Sequence, residues 1–161
     1  MPLSPPIGIA AARFPADREI VRRLFREYID SLGVDLTFQD VALELKDLPG
    51  KYAPPRGQVL IARDGGGVAV GCVALRPAAA PDACEMKRLY VDPHARGHQL
   101  GRRLAEDIIG FAGRAGYRSM LLDTLATMQA AQRLYASLGF RAIAPYYDNP
   151  LPGAVYMALK L

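Results

Sequence analysis

The stretch L-Y-V-D-P-H-A-R-G-H-Q-L-G-R-R-L, Leu89 to Leu104, constrains this chain more than any other segment. It opens as an apolar strand, and Asp92-Pro93 stops that strand because proline cannot donate to a sheet ladder. A short basic loop then runs into a helix that opens with Gln99-Leu100-Gly101. The first N–H groups of a helix have no intrahelical partner, and the helix dipole adds positive potential there, so such a junction is an anion site. Gly97 and Gly101 lack Cβ atoms and let a phosphate approach the backbone, while Arg96 and Arg102 can neutralise its charge. The segment reads as a pyrophosphate cradle. A solvated turn with incidental arginines fits the same spacing, and the spacing alone does not separate the two.

The elements on either side follow from periodicity. Ile7 to Arg13 reads as a first strand. Asp17 is placed to cap a helix whose apolar face is Ile20, Val21, Leu24, Phe25, Tyr28, Ile29 and Leu32, ended by Gly33. A weaker helix spans about Gln39 to Leu48. Gln58 to Arg63 and Val68 to Leu75 form a hairpin across Asp64-Gly65-Gly66-Gly67. Glu85 to Val91 is the next strand. Leu100 to about Ala115 is a strong helix, Ser119 to Thr124 a strand, and Thr127 is placed to cap a helix carrying Ala131, Leu134, Tyr135 and Leu138 inward. Two short strands, near Phe140 to Ile143 and Ala154 to Lys160, flank the loop Tyr146-Tyr147-Asp148-Asn149-Pro150. The order predicts an α+β fold with a mixed sheet, in a single domain over 1–161.

Composition narrows the function classes. A chain of 161 residues with 51% hydrophobic content has room for a proper core. It contains no apolar run near 18 residues and no signal-like start at Met1 to Pro6, so the expected location is cytoplasmic, with no membrane association. Two cysteines and two histidines show no paired ligand spacing, so no metal is expected, and Cys72 and Cys84 read as buried thiols. The net charge of +4 gathers locally at Arg96, Arg102 and Arg103, which favours one anion site over a nucleic-acid face.

Three segments in order carry a resemblance. Arg96-Gly97-His98-Gln99-Leu100-Gly101 resembles the coenzyme-A motif R/Q-x-x-G-x-G/A of the GNAT superfamily of N-acetyltransferases. C-E-M-K-R-L-Y-V-D-P (Cys84 to Pro93) resembles that family's fourth strand, and A-A-Q-R-L-Y-A-S-L-G-F (Ala130 to Phe140) its helix with a tyrosine before a Gly-Phe turn. The resemblance covers Val59 to Phe140 well and the first 50 residues in element order only. Two positions depart from the pattern. Gln99 stands where the motif has its first glycine, and is expected to keep helical angles with its side chain outward. Met128 stands where the family often has an asparagine seven residues before the tyrosine.

The resemblance implies a GNAT-like, mainly antiparallel sheet flanked by helices, acetyl-CoA as cosubstrate, and an amine of a small molecule or peptide as acceptor. It implies that pantetheine pairs with the strand edge at Leu89 and Val91, and that the pyrophosphate sits on Arg96, Gly97, His98, Gln99, Leu100, Gly101 and Arg102. Glu85 maps to the general base of several GNAT enzymes. A strand-start glutamate paired with Lys87 or a nearby arginine is the structural alternative. Tyr135 maps to the tyrosine that protonates the departing thiolate, with core packing as its alternative. Tyr28, Tyr52, Tyr146 and Tyr147 are candidate acceptor-lining residues. A non-catalytic acyl-CoA sensor uses the same fold, and the sequence leaves a homodimer open.

Overall fold

The computed structural model describes residues 6–36 and 40–161. Seven strands, β1 (Gly8–Ala11), β2 (Gln58–Arg63), β3 (Ala69–Pro77), β4 (Ala83–Val91), β5 (Ser119–Thr124), β6 (Arg141–Ile143) and β7 (Val155–Lys160), form one sheet in the order β1-β2-β3-β4-β5-β7-β6. Among the described residues only the β4–β5 pair is parallel; every other pair is antiparallel. Four helices, α1 (Arg18–Leu32), α2 (Val41–Lys46), α3 (Leu100–Arg114) and α4 (Gln129–Ser137), complete the predicted α+β order.

The sheet buries both faces. On one, Val21, Leu24 and Phe25 of α1 and Leu45 of α2 pack on Val59, Ile61, Cys72, Ala74 and Tyr90. On the other, Leu100, Leu104, Ala105, Ile108 and Ala112 of α3, with Tyr135 of α4, pack on Leu60, Ala62, Val73, Leu75, Met86 and Met120. These helical residues recur at three- and four-residue spacing, the stripe a sheet face requires. The β2–β3 turn is held by Asp64, whose Oδ1 accepts from the N–H groups of Gly66 (2.9 Å) and Val68 (3.0 Å).

Several boundaries differ from expectation. The second helix runs only over Val41–Lys46, and Gln39, expected at its start, lies outside the described residues, as do residues 1–5. Asp17 precedes α1 but makes no cap bond to it; its carboxylate accepts from the Arg13 N–H at 2.8 Å and pairs with Arg63 at 3.0 Å. Thr127 is likewise not the cap of α4, which starts after Met128 without a side-chain cap. β4 starts two residues earlier than expected, at Ala83.

The junction between β4 and α3 contains the sharpest departure. Gln99 does not keep right-handed helical angles; it takes φ 52 and ψ 30, the left-handed region. A glycine holds that conformation without strain, whereas a residue with a Cβ loses roughly 1–2 kcal/mol there. This explains in backbone terms why the resembling motif has glycine at this place. Gln99→Gly should therefore stabilise the fold, by up to about 1 kcal/mol after the greater freedom of glycine in the unfolded chain is offset. Urea unfolding checks this, and an unchanged or lower midpoint would contradict it.

Candidate functional site

β4 and β5 pair over three residues only, Ala83 with Ser119, Cys84 with Met120 and Glu85 with Leu121. Beyond Glu85 the strands part, and no described strand pairs with the β5-facing edge of β4 over 86–91. The parting coincides with a bulge. The β3–β4 register shifts between Cys72 and Ala74, and Arg88 takes φ 60. A bulge of this kind puts two successive residues on one face and bends the strand. Arg88 is buried and its Nε donates to Glu44 Oε2 at 3.0 Å, while Glu44 Oε1 accepts from the Tyr52 hydroxyl at 2.6 Å. A narrow cleft passes between the parted strands. Tyr28, Lys87, Arg88 and Asp123 line it toward α1; Leu89, Thr124, Met128 and Tyr135 line it toward α4.

Past the end of β4 the chain turns into the start of α3. Gln99 offers that helix no side-chain cap, so its first amides are left for another partner. Gly97 has φ 98, a conformation that requires glycine. Gly101 is different: a Cβ built there would meet nothing closer than Leu134 Cδ2 at 3.8 Å, with Val91 Cγ2 at 4.0 Å. The fold does not demand glycine at 101, and the space its missing side chain leaves is what a phosphate against the helix start would occupy. The residues present thus fit the pyrophosphate of acetyl-CoA. His98 and Arg96 are exposed in the loop. Arg96 Nε lies 3.3 Å from the Val91 carbonyl, and Arg102 is drawn to Glu106 (3.1 Å) and Ser137 of α4, so both reach the junction from its rim.

Tyr135 projects into the cleft from α4, buried to 7% exposure, and its hydroxyl has no hydrogen-bond partner among the described residues. Burial, followed by the fields of Tyr28 and Asp123, pushes its ionisation well above that of an ordinary phenol, so it remains a neutral O–H donor. Thr124, in the same wall, is buried at 6% and its Oγ1 lacks a partner as well.

The opposite half of the cleft is ionic. Glu85 Oε1 accepts from Arg76 Nε at 2.8 Å and Oε2 from the Tyr146 hydroxyl at 2.6 Å. Burial alone would raise its carboxyl, but Lys87, Arg76 and the Tyr146 hydroxyl outweigh it and hold the group below the usual carboxylate range. Glu85 stands behind Lys87 and does not itself line the cleft. Asp123 does, with its Oδ2 accepting from the Tyr147 hydroxyl at 2.5 Å. Lys87 lies 3.7 Å from Asp123 Oδ1, and its burial lowers the ammonium below the ordinary lysine value against the pull of Glu85 and Asp123.

Among the expected residues, Leu89 and Tyr135 line the cleft, Gly101 lies near Val91 and Leu134 of α4, and Glu85 does not line it. Tyr28 lines the cleft, Tyr146 and Tyr147 hold Glu85 and Asp123, and Tyr52 is consumed by Glu44. Lys87, Asp123 and Thr124 are additions to the site. Their signal lies in consecutive polar residues, Lys87-Arg88 and Asp123-Thr124, within strands that are otherwise largely apolar. Cys84 is buried, and burial pushes its thiol up to about 12, which disfavours a thiolate nucleophile. Among the described residues, no helix is long and apolar enough to cross a membrane.

The family described as "Acetyltransferase (GNAT) family" matches residues 16–140. An uncharacterised N-acetyltransferase of Schizosaccharomyces pombe is 49% identical over 155 residues, covering 96% of this chain and 95% of that one. The N-acetylaspartate synthetase of Danio rerio is 34% identical, covering 83% of this chain and 48% of its own. A Salmonella typhimurium structure with acetyl-CoA as its cofactor superposes with a TM-score of 0.67 at 23% identity, covering 96% of this chain and 93% of the other, a likeness of fold.

The Glu85 environment makes a measurable demand on stability. Its folded carboxyl ionises at lower pH than the unfolded one, so its contribution is complete above roughly pH 4.3 and is lost as the pH falls through the folded value. Wild type should be the more stable of wild type and Glu85→Gln at pH 7, and the gap should close as the pH falls below the folded carboxyl's lowered value. Parallel loss of stability in both proteins on acidification, followed by urea midpoints, would show that the carboxylate is not held as described.

Proposed function

The chain belongs to the acetyltransferase (GNAT) family, and from that premise we propose that it transfers the acetyl group of acetyl-CoA to an amine of a small molecule or peptide by direct attack in a ternary complex. The observation that carries this reading is the cleft through the sheet, with a neutral Tyr135 hydroxyl in its wall and a β4 edge that pairs with no strand among the described residues. Acetyl-CoA supplies an activated acyl group on a thiol leaving group. The chain supplies position and protons.

In this reading the backbone amides from Gly97 to Gly101, in the loop and the first turn of α3, hold the pyrophosphate. The β4 edge at Leu89 and Val91 takes the pantetheine amides as an added strand would, and an amide of that edge polarises the thioester carbonyl. Arg96 must turn from the Val91 carbonyl for full pairing there. Thr124 offers the polar contact that Met128, in the same wall, cannot make. Tyr135 donates its proton toward the sulfur as negative charge develops, a direction set by a phenol buried among apolar neighbours.

The acceptor ammonium must lose a proton before it attacks. Glu85 is proposed to take it by way of water, since its carboxylate is anionic at neutral pH. The bonds from Arg76 and Tyr146 must loosen for that. A second reading, favoured by the position of Asp123 in the cleft wall, gives the proton to Asp123 directly. Glu85→Gln and Asp123→Asn, compared across pH with one amine, separate the two: the variant of the true base regains rate relative to wild type at high pH, where free amine is abundant.

Two variants test the proposal as a whole. Gly101→Val should remain folded and lose most of its affinity for acetyl-CoA, because branched carbons fill the phosphate position. Tyr135→Phe should keep its coenzyme affinity and lose about 10- to 1000-fold in turnover, the scale of a lost acid or transition-state hydrogen bond. Calorimetry and a thiol-release assay read both, and unchanged coenzyme affinity in folded Gly101→Val would refute the site.

A further inference from the structure

The ionic side chains in and behind the α1-side wall of the cleft are matched in pairs, and one pair is incomplete. Arg76 meets Glu85 at 2.8 Å and Arg88 meets Glu44 at 3.0 Å, both within hydrogen-bond reach. Lys87 and Asp123 stand 3.7 Å apart, too far for a hydrogen bond. The Lys87 side chain is 7% exposed and that of Asp123 11%, and both line the cleft. The Lys87 ammonium makes no hydrogen bond among the described residues, although it carries three donors. The Asp123 carboxylate is held by one oxygen: Oδ2 accepts from Tyr147 at 2.5 Å and from Asn149 at 3.5 Å, which leaves Oδ1 turned to Lys87 without a donor among the described residues.

An ammonium in a cleft wall whose nearest carboxylate stands beyond hydrogen-bond distance keeps donors open to a ligand. The same holds for the open oxygen of Asp123. Here a missing anion and a missing cation are adjacent, a few ångströms apart, at the point where the cleft crosses the sheet. An α-amino acid carries both charges, joined through a single carbon. We infer that the acceptor is a zwitterionic α-amino acid, whose carboxylate is bound by Lys87 and whose ammonium is oriented by Asp123 Oδ1. A simple alkyl amine would satisfy Asp123 and leave Lys87 as it is. A dicarboxylic substrate without an amine would do the reverse.

The inference rests on the acetyltransferase reading, and Lys87 enters it as a specificity-determining residue. Turnover of wild type is compared between amino acids and the amines that result from removing their carboxylate, for example alanine against ethylamine and phenylalanine against phenethylamine. The amino acid of each pair should win in kcat/KM by about 10- to 100-fold, the scale of one hydrogen bond to a charged group. In Lys87→Met the ratio should fall to within about threefold of unity, and Lys87→Arg should keep part of it. The ratio cancels any general loss of activity, and the wild-type comparison needs no variant to fold. Equal use of both members of each pair, or a ratio that survives in folded Lys87→Met, overturns the inference while leaving the transferase reading intact. Calorimetric titration of alanine into the protein saturated with coenzyme A reads the site without turnover. Binding lost in Lys87→Met, with no acetylation of any amine, supports the amino-acid site and sinks the transferase reading instead. Failure of alanine and phenylalanine both to bind and to react overturns the inference.

Discussion

Pairing between β4 and β5 ends after Glu85, and the rest of the site depends on how that interruption is held open. Left alone, two adjacent strands with unsatisfied edges would go on pairing, because each buried backbone group needs a partner. The bulge at Arg88 prevents it by bending β4 away. Its left-handed backbone is costly for arginine, and the side chain compensates by anchoring to Glu44, itself fixed by Tyr52. The second helix, which the sequence announces weakly, therefore matters to the site because it carries the carboxylate that pins the bulge. The free edge that results is a defect in the sheet, of the kind that the proposed amide-bearing arm would complete.

The two faces of β4 divide the chemistry. Toward α3 and α4 the cleft is apolar apart from two hydroxyls without partners among the described residues, Tyr135 and Thr124. Toward α1 it is a set of buried ion pairs. Buried charges of this sort add little net stability, since desolvation consumes most of the Coulombic gain. Their value lies in fixing where an incoming charge must sit. Arg76, Glu85 and Tyr146 form a rigid backing, and Lys87 and Asp123 present the open valences in front of it.

Much of this is legible in the residues. The Pro93 stop, the glycines at 97 and 101, and the helical stripe from Leu100 to Ala112 mark the strand-to-helix junction proposed for the phosphates, because those signals are local and each has one physical cause. The frame around Tyr135 is legible as well, since Gly139 ends its helix at a fixed distance. What escapes a reading of the residues is set by partners far along the chain. Gln99 is free by its local sequence to adopt helical angles, and only the path from β4 into α3 forces it into the left-handed region. Lys87 and Arg88 are consecutive charges in a central strand, which strict alternation forbids. That pair is the trace of the bulge, though nothing local says which neighbour lies opposite. Asp123 gains its role from Tyr147, on a loop between the last two strands.

The central claim is that acetyl-CoA enters between the parted strands with its phosphates on the start of α3. Hydrogen exchange with and without acetyl-CoA tests it most directly, because every group invoked is a backbone amide. Slowed exchange should concentrate in 86–91 of β4 and 97–102 at the α3 start, with β1 and the β2–β3 hairpin unchanged. Protection centred instead on the hairpin turn at Asp64 to Gly67, with 86–91 exchanging as before, would contradict the account.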